Sequence, residues 1–331
     1  MSKNLSLNNP LLDIRDLRVA YLTTRGPVRA VDGVSFAIQP GEVVGLAGES
    51  GSGKSTIAHA ILRILHPPAL ITGGQAVFEG QDIMEMDDAE LGRFRWKKVS
   101  IVFQSAMNAL NPVMKIRDQL MDVMLHHGIT KAEANERSVG LFNLVGIEPQ
   151  RLEAYPHQLS GGMRQRAVIA IALALNPPML IMDEPTTALD VVVQKDILQQ
   201  IAVLREKLGF SILFITHDLS LLVEISTRIA IMYAGEIVEK APARELFENP
   251  LHPYTLGLMN SFPSISGVKH KLTGIPGSPP DLVSPPTGCR FHPRCPKAMA
   301  LCSTSAPLAR CVSTDHSVSC HLFDQLLLKQ P

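Results

Sequence analysis

The alternation of apolar and polar positions predicts a regular succession of strands and helices. An apolar run over residues 43–46 leads into a glycine-rich loop, and IAHAILRIL, from Ile57, follows with apolar spacing that suits a helix. Residues 166–250 continue the alternation, and the stretch RIAIMYAGEIVEKA predicts a hairpin around Ala234-Gly235. Because consecutive strands joined by helices run in the same direction, the pattern predicts an α/β fold with a parallel core sheet.

Other segments predict different arrangements. Residues 11 to about 90 are predicted to form an antiparallel edge and the start of the nucleotide-binding core, and within them VDGVSFAIQPGEVVGL has the form strand, turn, strand. Residues from about 105 to 165 carry helical patterns and predict an inserted helical subdomain. We predict one large domain, residues 1–250, and a C-terminal extension, residues 251–331. In that extension the Pro/Gly-rich connector GIPGSPPDLVSPPTG, residues 274–288, is expected to run extended over the surface.

The charge balance and the distribution of apolar residues argue against three features: a nucleic-acid partner, a secretion signal and a membrane span. The 331 residues include 31 basic and 31 acidic side chains, and this balance gives no electrostatic case for nucleic acid as a partner. The polar N-terminus lacks an apolar secretion signal, and no run reaches the roughly 18 to 20 apolar residues that span a bilayer. We therefore expect a cytosolic chain, in which clustered cysteines indicate metal or redox chemistry rather than disulfides.

The stretch GESGSGKST, residues 48–56, fits the pattern GxxxxGK[ST] between a predicted strand and a predicted helix. Glycines allow successive backbone N–H groups to face a phosphate chain, and the helix N-terminus adds partial positive charge. In such a loop Lys54 reaches the β- and γ-phosphates while the Ser55 hydroxyl binds Mg²⁺. The alternative is a flexible loop that fits the pattern by accident. The strand and helix around the loop favour a nucleotide-binding site in the large domain.

Two carboxylates end the predicted strand in PPMLIMDEP, which begins at Pro177. Asp183 can supply a further contact to Mg²⁺, and the adjacent Glu184 can orient and deprotonate an attacking water. A solvated acidic turn is the alternative for a strand end of this kind. Beside a phosphate-binding loop, the two carboxylates predict nucleotide hydrolysis.

A second glycine pair lies in LSGGMRQR, from Leu159, just before a long apolar run with helical spacing. Two glycines after a serine at a helix start can form another anion-binding N-terminus. A plain helix cap is the alternative, because the pattern alone is weak. Its position between the phosphate loop and the paired carboxylates favours a role at a nucleotide.

These motifs, with the strand SILFITHD ending at His217-Asp218, occur in the order of ATP-binding cassette (ABC) ATPases, and the chain resembles that family over about residues 11–320. Gln104 falls at the family's Q-loop, and Tyr21 falls where the family has an aromatic that stacks on adenine. The stretches PHQLSGGM and NPLHPYTLGLM and the cysteine-bearing tail are similar to the ATPase subunits of dipeptide and oligopeptide importers. The resemblance implies a P-loop NTPase fold: a RecA-like parallel core sheet, an antiparallel β subdomain, an inserted helical subdomain and a small metal-stapled extension.

The resemblance also implies a head-to-tail dimer in which ATP lies between the P-loop of one subunit and the LSGG helix of the other. The residues implied to hold ATP and Mg²⁺ in cis are Gly48, Ser50, Gly51, Gly53, Lys54, Ser55 and Thr56, completed at the metal by Asp183 and Gln104. The residues implied to meet the partner's nucleotide in trans are Ser160, Gly161 and Gly162, with Asp190 linking the two sites.

For catalysis, the resemblance implies Glu184 as general base and His217 as the group that holds the γ-phosphate and the attacking water, with Gln104 completing the water shell. The alternative for His217 is a core histidine at a strand end, and the alternative for Tyr21 is an ordinary packing aromatic. All catalytic positions are intact, so we expect this subunit to hydrolyse ATP.

The cysteines all lie in the tail, at Cys289, Cys295, Cys302, Cys311 and Cys320. Their spacing is wider than the C-x2-C of zinc ribbons and gives only a moderate metal signal. The peptide-importer resemblance implies a [4Fe–4S] cluster on all of them except Cys311. Zinc, free buried thiols, and Cys311 in place of Cys320 as fourth ligand are the alternatives. Three tail histidines could ligate zinc but are interpreted as surface residues: His292, His316 and His321.

The function that the resemblance implies is that of an ATPase subunit energising a membrane importer for dipeptides or oligopeptides. Alternatives are a related importer for oligosaccharides or metal chelates, a soluble cassette ATPase, and a redox-responsive regulator. The implied partners are a second ABC ATPase subunit, favoured as a heterodimer, two transmembrane permease subunits and an external solute-binding protein. The expected location is peripheral, at the cytoplasmic face of the inner membrane, through the transmembrane subunits.

Overall fold

The computed structural model describes residues 9–104, 109–187, 189–261 and 274–324. Its strands are β1 (Leu12–Thr23), β2 (Gly26–Ile38), β3 (Val43–Ala47), β4 (Ala69–Phe78), β5 (Gln81–Asp82), β6 (Val99–Val102), β7 (Met179–Asp183), β8 (Ser211–Ile215), β9 (Arg228–Tyr233), β10 (Glu236–Pro242), β11 (Arg310–Cys311) and β12 (Ser317–Val318).

Helices alternate with these strands. The α-helices are α1 (Lys54–Ile61), α2 (Asp88–Phe94), α3 (Ile116–His126), α4 (Lys131–Leu144), α5 (Gly161–Ala172), α6 (Val191–Leu208), α7 (Leu219–Ile225), α8 (Ala243–Glu248), α9 (Pro253–Asn260) and α10 (Ala300–Thr304). Short 3₁₀ helices cover Ile83–Glu85, Pro149–Glu153, Pro156–Gln158 and His292–Arg294.

The described chain divides into two compact units. The first unit takes its residues from Met1–Ala37, Val43–Met84 and Ile215–Pro331, and the second from Ile38–Glu42 and Glu85–Phe214. The first unit therefore contains segments from both ends of the sequence. The limits predicted from the sequence, residue 250 for the large domain and about 105–165 for the helical subdomain, stay predictions.

The first unit contains an antiparallel sheet with the strand order β2-β1-β4-β5 and a second group of strands in the order β11-β12-β10-β9-β3. In the second group β3 runs parallel to β9, with Val44 opposite Arg228. All five residues of β3 are buried, as expected for a parallel strand covered on both faces. The antiparallel edge and the parallel core strands both agree with the sequence-based prediction.

The hairpin between β9 and β10 is tight because two consecutive residues adopt the left-handed conformation. Ala234 has φ 48° and Gly235 has φ 88°. A two-residue turn with positive φ at both positions matches the right-handed twist of the flanking strands. The predicted hairpin around Ala234-Gly235 is confirmed, and its Gly235 N–H donates to the carbonyl of Ser52 in the phosphate-binding loop, at 3.1 Å.

The second unit combines three strands with most of the long helices. Its strands are ordered β8-β7-β6, and β6 runs parallel to β7 with Val99 opposite Met179. Every residue of β7 and β8 is buried. Helices α3, α4 and α5 pack against one another in this unit. The predicted α/β class is therefore found in both units.

The C-terminal region is built mostly from loops, as its prolines and weak periodicity predict. Residues 274–288 form no helix or strand. The region also contains the short elements α9, α10, β11 and β12, and β12 pairs antiparallel with β10, with Val318 opposite Glu239. None of the helices in the described ranges has both the length and the apolar character needed to cross a lipid bilayer.

Candidate functional site

The loop between β3 and α1 requires glycine at two positions because other backbone atoms approach it closely. A Cβ atom added to Gly48, which has φ +151°, would lie 2.1 Å from the carbonyl oxygen of Met232. A Cβ atom added to Gly53, at φ +102°, would lie 2.0 Å from the carbonyl oxygen of Ala30. Real side chains do not approach a backbone oxygen so closely. The loop is therefore held against β2 and β9, with its amides at the start of α1.

Lys54 is the first residue of α1 and is 6% exposed. Its ammonium group donates to the carbonyl oxygens of Gly48 and Glu49, at 2.8 and 2.9 Å. These contacts keep the positive charge inside the loop, where the helix N-terminus also favours an anion. The loop thus concentrates donors and positive charge around one small volume of the first unit.

The other predicted residues of this loop surround Lys54. Ser50 and Gly51 are exposed, and Ser55 is partly exposed at the beginning of α1. Thr56 is buried, and its hydroxyl lies 3.3 Å from the Tyr21 hydroxyl. This contact places Tyr21 beside the phosphate-binding loop, where the sequence predicts an adenine-stacking aromatic, and the stacking itself stays a prediction.

The carboxylate pair lies at the end of β7 in the second unit. Asp183 is the last residue of the strand and is 2% exposed. Glu184 follows with φ 46°, which is uncommon for a residue with a side chain and costs about 1 to 3 kcal/mol. Its carboxylate oxygen Oε2 accepts hydrogen bonds from Gln104 Nε2 at 2.9 Å and from Thr187 Oγ1 at 3.1 Å. The structure therefore brings together Gln104 and Glu184, which the sequence places 80 residues apart.

The serine and glycines of LSGGM begin helix α5. Ser160 is exposed, and its hydroxyl accepts the backbone N–H of Met163 at 3.3 Å. Gly161 and Gly162 form the first turn of the helix and are partly exposed. Within this chain the serine is an ordinary N-cap, and the surface that it forms is accessible for contact with another molecule.

Asp190 and His217 lie at two further helix starts. Asp190 is exposed and caps α6 by accepting the backbone N–H groups of Val192 and Val193, at 3.1 and 3.0 Å. His217 lies two residues after the end of β8, belongs to the first unit and is exposed. Because the His217 side chain is exposed, the alternative of a core histidine is wrong.

Comparisons with known proteins place these motifs in one family. The family described as ABC transporter matches residues 31–187, and the family described as oligopeptide/dipeptide transporter, C-terminal region, matches residues 238–302. The dipeptide transport ATP-binding protein DppD of Caldanaerobacter subterraneus subsp. tengcongensis is 40% identical over 95% of this chain and 98% of its own length. The chain belongs to the family of ABC transporter ATP-binding proteins.

Further relatives agree with this ABC ATPase assignment. The oligopeptide transport ATP-binding protein OppD of Salmonella typhimurium is 44% identical over 91% of this chain and 90% of its own length. The dimeric structure of MJ0796, a bacterial ABC transporter cassette, has a TM-score of 0.63 and 29% identity, and covers 70% of this chain and 99% of that one. A second structure of that cassette, with the same scores, is a dimer in a post-hydrolysis state bound to ADP and Pi. The predicted cassette fold is thereby confirmed, whereas the metal-stapled extension stays a prediction.

The tail of this ABC ATPase brings four of its five cysteines together. Cys302 and Cys320 are buried, and Cys289 and Cys295 are partly exposed. Burial, and to a smaller extent the neighbouring thiols of Cys302, Cys320 and Cys295, raise the pKa of the Cys289 thiol to about 11. The backbone N–H of Cys289 donates to the carbonyl oxygen of Cys302 at 2.8 Å, and after burial the neighbouring thiols also raise the pKa of Cys295 and of Cys320. Cys311 is exposed and does not belong to the group.

The tail histidines differ from the expectation that they lie on the surface. His316 is 2% exposed, and its ring nitrogens lie 2.8 Å from Glu239 Oε1 and 3.0 Å from Glu245 Oε1. His321 is 8% exposed and contacts Asp324 Oδ2 at 2.7 Å. The interpretation was wrong for these two histidines because each is paired with acidic residues that make its burial tolerable. His292 is partly exposed, as expected of a tail residue.

Proposed function

We propose that this ABC ATPase energises a membrane importer for dipeptides or oligopeptides. The observation that carries the proposal is the match of residues 238–302 to the oligopeptide/dipeptide transporter C-terminal region. Relatives at 40 and 44% identity, over 95 and 91% of the chain, are dipeptide and oligopeptide transport ATP-binding proteins. Oligosaccharides and metal chelates are the alternative solutes.

The phosphate-binding loop is proposed to hold ATP with Mg²⁺. Backbone N–H groups of the glycine-rich loop and the Lys54 ammonium neutralise the phosphates, and the Ser55 hydroxyl binds Mg²⁺. Asp183, buried at the end of β7, supplies a carboxylate to the metal shell, and Gln104 completes that shell. Tyr21 stacks on adenine. The close packing of Gly48 and Gly53 supports this assignment, because it fixes the direction of the loop amides.

Glu184 is proposed as the general base that activates water. Hydrogen bonds from Gln104 and Thr187 hold its carboxylate in one orientation, and its left-handed backbone is the kind of strain that collects at active sites. His217 holds the γ-phosphate. The LSGG helix beginning at Ser160 meets the nucleotide of a partner subunit, and Asp190 links the two sites.

The proposed partners are the subunits that complete the nucleotide sites and those that carry the solute. A second ABC ATPase subunit, favoured as a heterodimer, completes the nucleotide sites, and two transmembrane permease subunits form the path of the solute. An external solute-binding protein delivers the solute. The chain is then a peripheral protein at the cytoplasmic face of the inner membrane.

The intact complex, purified and reconstituted in vesicles, tests both the solute and the catalytic assignment. We expect a peptide-loaded binding protein to stimulate ATP hydrolysis and peptide uptake, whereas oligosaccharide or metal chelate does neither. The variant Glu184→Gln should bind ATP as the unaltered chain does, but turn it over at least about tenfold more slowly, because a positioned base contributes roughly 10²- to 10⁴-fold. Unaltered turnover would remove Glu184 from this role, and stimulation by another solute would replace the peptide proposal.

The cysteine group is proposed to hold a [4Fe–4S] cluster on Cys289, Cys295, Cys302 and Cys320. Thiolates are the ligands that such clusters take, and backbone N–H groups directed at ligand sulfurs are typical of cluster sites. Here the sulfur of Cys302 accepts the backbone N–H of Met299 at 3.5 Å, and backbone N–H groups near Cys289, Cys295 and Cys320 act to lower the pKa of those thiols. Among the described residues, no three His, Cys, Asp or Glu side chains are grouped closely enough to hold a single metal ion. The proposal rests instead on the backbone contact between Cys289 and Cys302 and on these backbone donors, and zinc is the alternative.

Metal analysis of anaerobically purified chain tests the cluster. We expect about four iron and four sulfide per chain, and a brown colour that Cys302→Ser abolishes. The matched variant Cys311→Ser should retain iron, because Cys311 lies outside the group. One zinc per chain, or loss of iron with Cys311→Ser alone, would contradict the proposal.

A further inference from the structure

The residue Glu49 of the phosphate-binding loop is held by an arginine of the C-terminal extension. Arg294 Nη1 lies 2.7 Å from Glu49 Oε2, and Arg294 Nη2 lies 3.0 Å from Glu49 Oε1. Two parallel charge-assisted hydrogen bonds of this kind fix both the distance and the plane of the carboxylate. Both residues belong to the first unit, although 245 positions separate them in the sequence.

Arg294 is fixed on its other sides as well. Its side chain is 6% exposed, and Nε donates to the carbonyl oxygen of Pro276 at 2.8 Å. The guanidinium carbon lies 5.8 Å from the centre of the Tyr233 ring, and Nη1 lies 3.4 Å from the Tyr233 hydroxyl. A buried arginine with this many partners has little freedom to follow a moving carboxylate. Glu49 is therefore held in place by the guanidinium.

The backbone of Glu49 is fixed by two further contacts. Its N–H donates to the Tyr254 hydroxyl of α9 at 2.9 Å, and its carbonyl oxygen accepts from Lys54 Nζ at 2.9 Å. The second contact joins Glu49 directly to the lysine that is proposed to bind the phosphates. A shift of Glu49 would therefore move an atom that positions the Lys54 ammonium.

An aromatic cluster connects these groups to the extension. The rings of Tyr233 and Tyr254 have centroids 4.5 Å apart, and Phe291 lies 5.2 Å from the first and 5.4 Å from the second. All three side chains are among the largest fully buried ones. Because these rings are closely packed, a movement of one of them displaces its neighbours. The cluster makes Glu49, Arg294 and the start of the cysteine-bearing tail one packed body.

We propose that Arg294 is a positioning residue for the nucleotide site: through Glu49 it sets the geometry of the phosphate-binding loop, so that ATP affinity depends on the C-terminal extension. The inference rests on nucleotide binding at this loop, but does not depend on which metal the cysteines hold. It assigns the extension a part in the ATP site, in addition to any part in a transporter complex.

Binding of a non-hydrolysable ATP analogue with Mg²⁺ to the purified full chain tests this inference. Arg294→Gln and Glu49→Gln should each weaken affinity about tenfold, because each breaks the same paired charges. The double variant should also lose about tenfold rather than a hundredfold, because residues that act through one contact are not additive. Arg294→Lys keeps the charge but lacks the planar fork and should lose about threefold.

The matched control is Arg310→Gln, which removes a different ion pair of the extension, from Arg310 Nε to Asp324 Oδ1 at 3.4 Å. Its affinity for the analogue should change less than about twofold. Melting temperatures without nucleotide identify any variant that is merely unfolded. If Arg294→Gln does not fold, the affinity of Glu49→Gln for the analogue tests the inference. This variant keeps the hydrogen bond from Arg294 to the carbonyl oxygen of Pro276.

Three results would overturn the inference. They are unaltered affinity in folded Arg294→Gln, unaltered affinity in Glu49→Gln, and independent losses that multiply in the double variant. An unaltered chain that binds no nucleotide would instead overturn the proposed function. The two failures are therefore distinguishable.

Discussion

His316 joins the tail to the cassette through two acidic residues, and its charge state is part of that contact. Burial opposes protonation of His316, but hydrogen bonds to Glu239 and Glu245 outweigh burial and raise its pKa. Because the folded pKa is raised, the stabilisation is complete below the unfolded histidine value of about 6.5 and is lost as pH rises through the folded value.

Buried His252 has the opposite effect on the pH dependence of stability. Burial lowers its pKa to about 4, so stability falls as the pH drops below about 6.5.

The variant His316→Gln tests this contact. We expect its free energy of unfolding to be about 2 to 3 kcal/mol lower than that of the unaltered chain at pH 6, because a buried pair is broken. The difference should shrink towards pH 9, as the histidine of the unaltered chain loses its proton. Urea unfolding at several pH values provides the measurement. The control His66→Gln, at an exposed position, should reproduce the pH dependence of the unaltered chain, and a constant difference for His316→Gln would contradict the assignment.

At the residue scale, the sequence predicts a functional residue well when a short motif identifies it. It predicts a contact poorly when the two residues are far apart in the sequence. The order of Lys54, Glu184 and their motifs is sufficient to predict a nucleotide site. The contact between Arg294 and Glu49 carries no such signal, since neither residue is unusual in its own segment. The burial of His316 was missed for the same reason, because its partner Glu239 lies 77 positions away.

At the scale of elements, the loop before α1 shows that its glycines are not equivalent. Gly51 and Gly53 both have positive φ, at +79° and +102°. A Cβ on Gly51 would have nothing within 4 Å, whereas one on Gly53 would also lie 2.8 Å from Met232 Cε in addition to its clash with the Ala30 carbonyl. Only the second substitution requires neighbouring backbone to move.

The pair Gly53→Ala and Gly51→Ala tests this difference. We expect Gly51→Ala to cost about 1 to 2 kcal/mol of unfolding free energy, which is the strain of a left-handed residue. Gly53→Ala should cost about 4 kcal/mol or more, because steric overlap is added to that strain. Urea unfolding without nucleotide separates stability from phosphate binding. Equal costs would mean that the loop relaxes freely and is not held by β2 and β9.

Long helices and strands are easier to predict from the sequence than short ones. The strands around the phosphate loop and the helices beyond residue 105 have periodic patterns long enough to recognise. Strands β11 and β12 contain two residues each, which is too short for any period. Nevertheless β12 pairs with β10, and so an edge that would otherwise present unpaired backbone groups at Glu239 and Lys240 is covered.

At the scale of the whole molecule, family membership and class of fold follow from motif order, but the assembly of the first unit does not. That unit takes residues both from the first 84 positions and from position 215 onward. Motif spacing describes each segment separately and says nothing of which segments meet. The sequence therefore predicts a separate C-terminal extension, whereas in the structure this extension contacts the phosphate-binding loop.

The separation of 245 positions between Glu49 and Arg294 also has a consequence during synthesis of the chain. At a translation rate of about 5 to 20 residues per second, the ribosome adds Arg294 roughly 12 to 50 s after Glu49. During that interval the nascent phosphate-binding loop has its glycines and its lysine but not the guanidinium that orients it. The contact that holds the Glu49 carboxylate can therefore form only after Arg294 has been made.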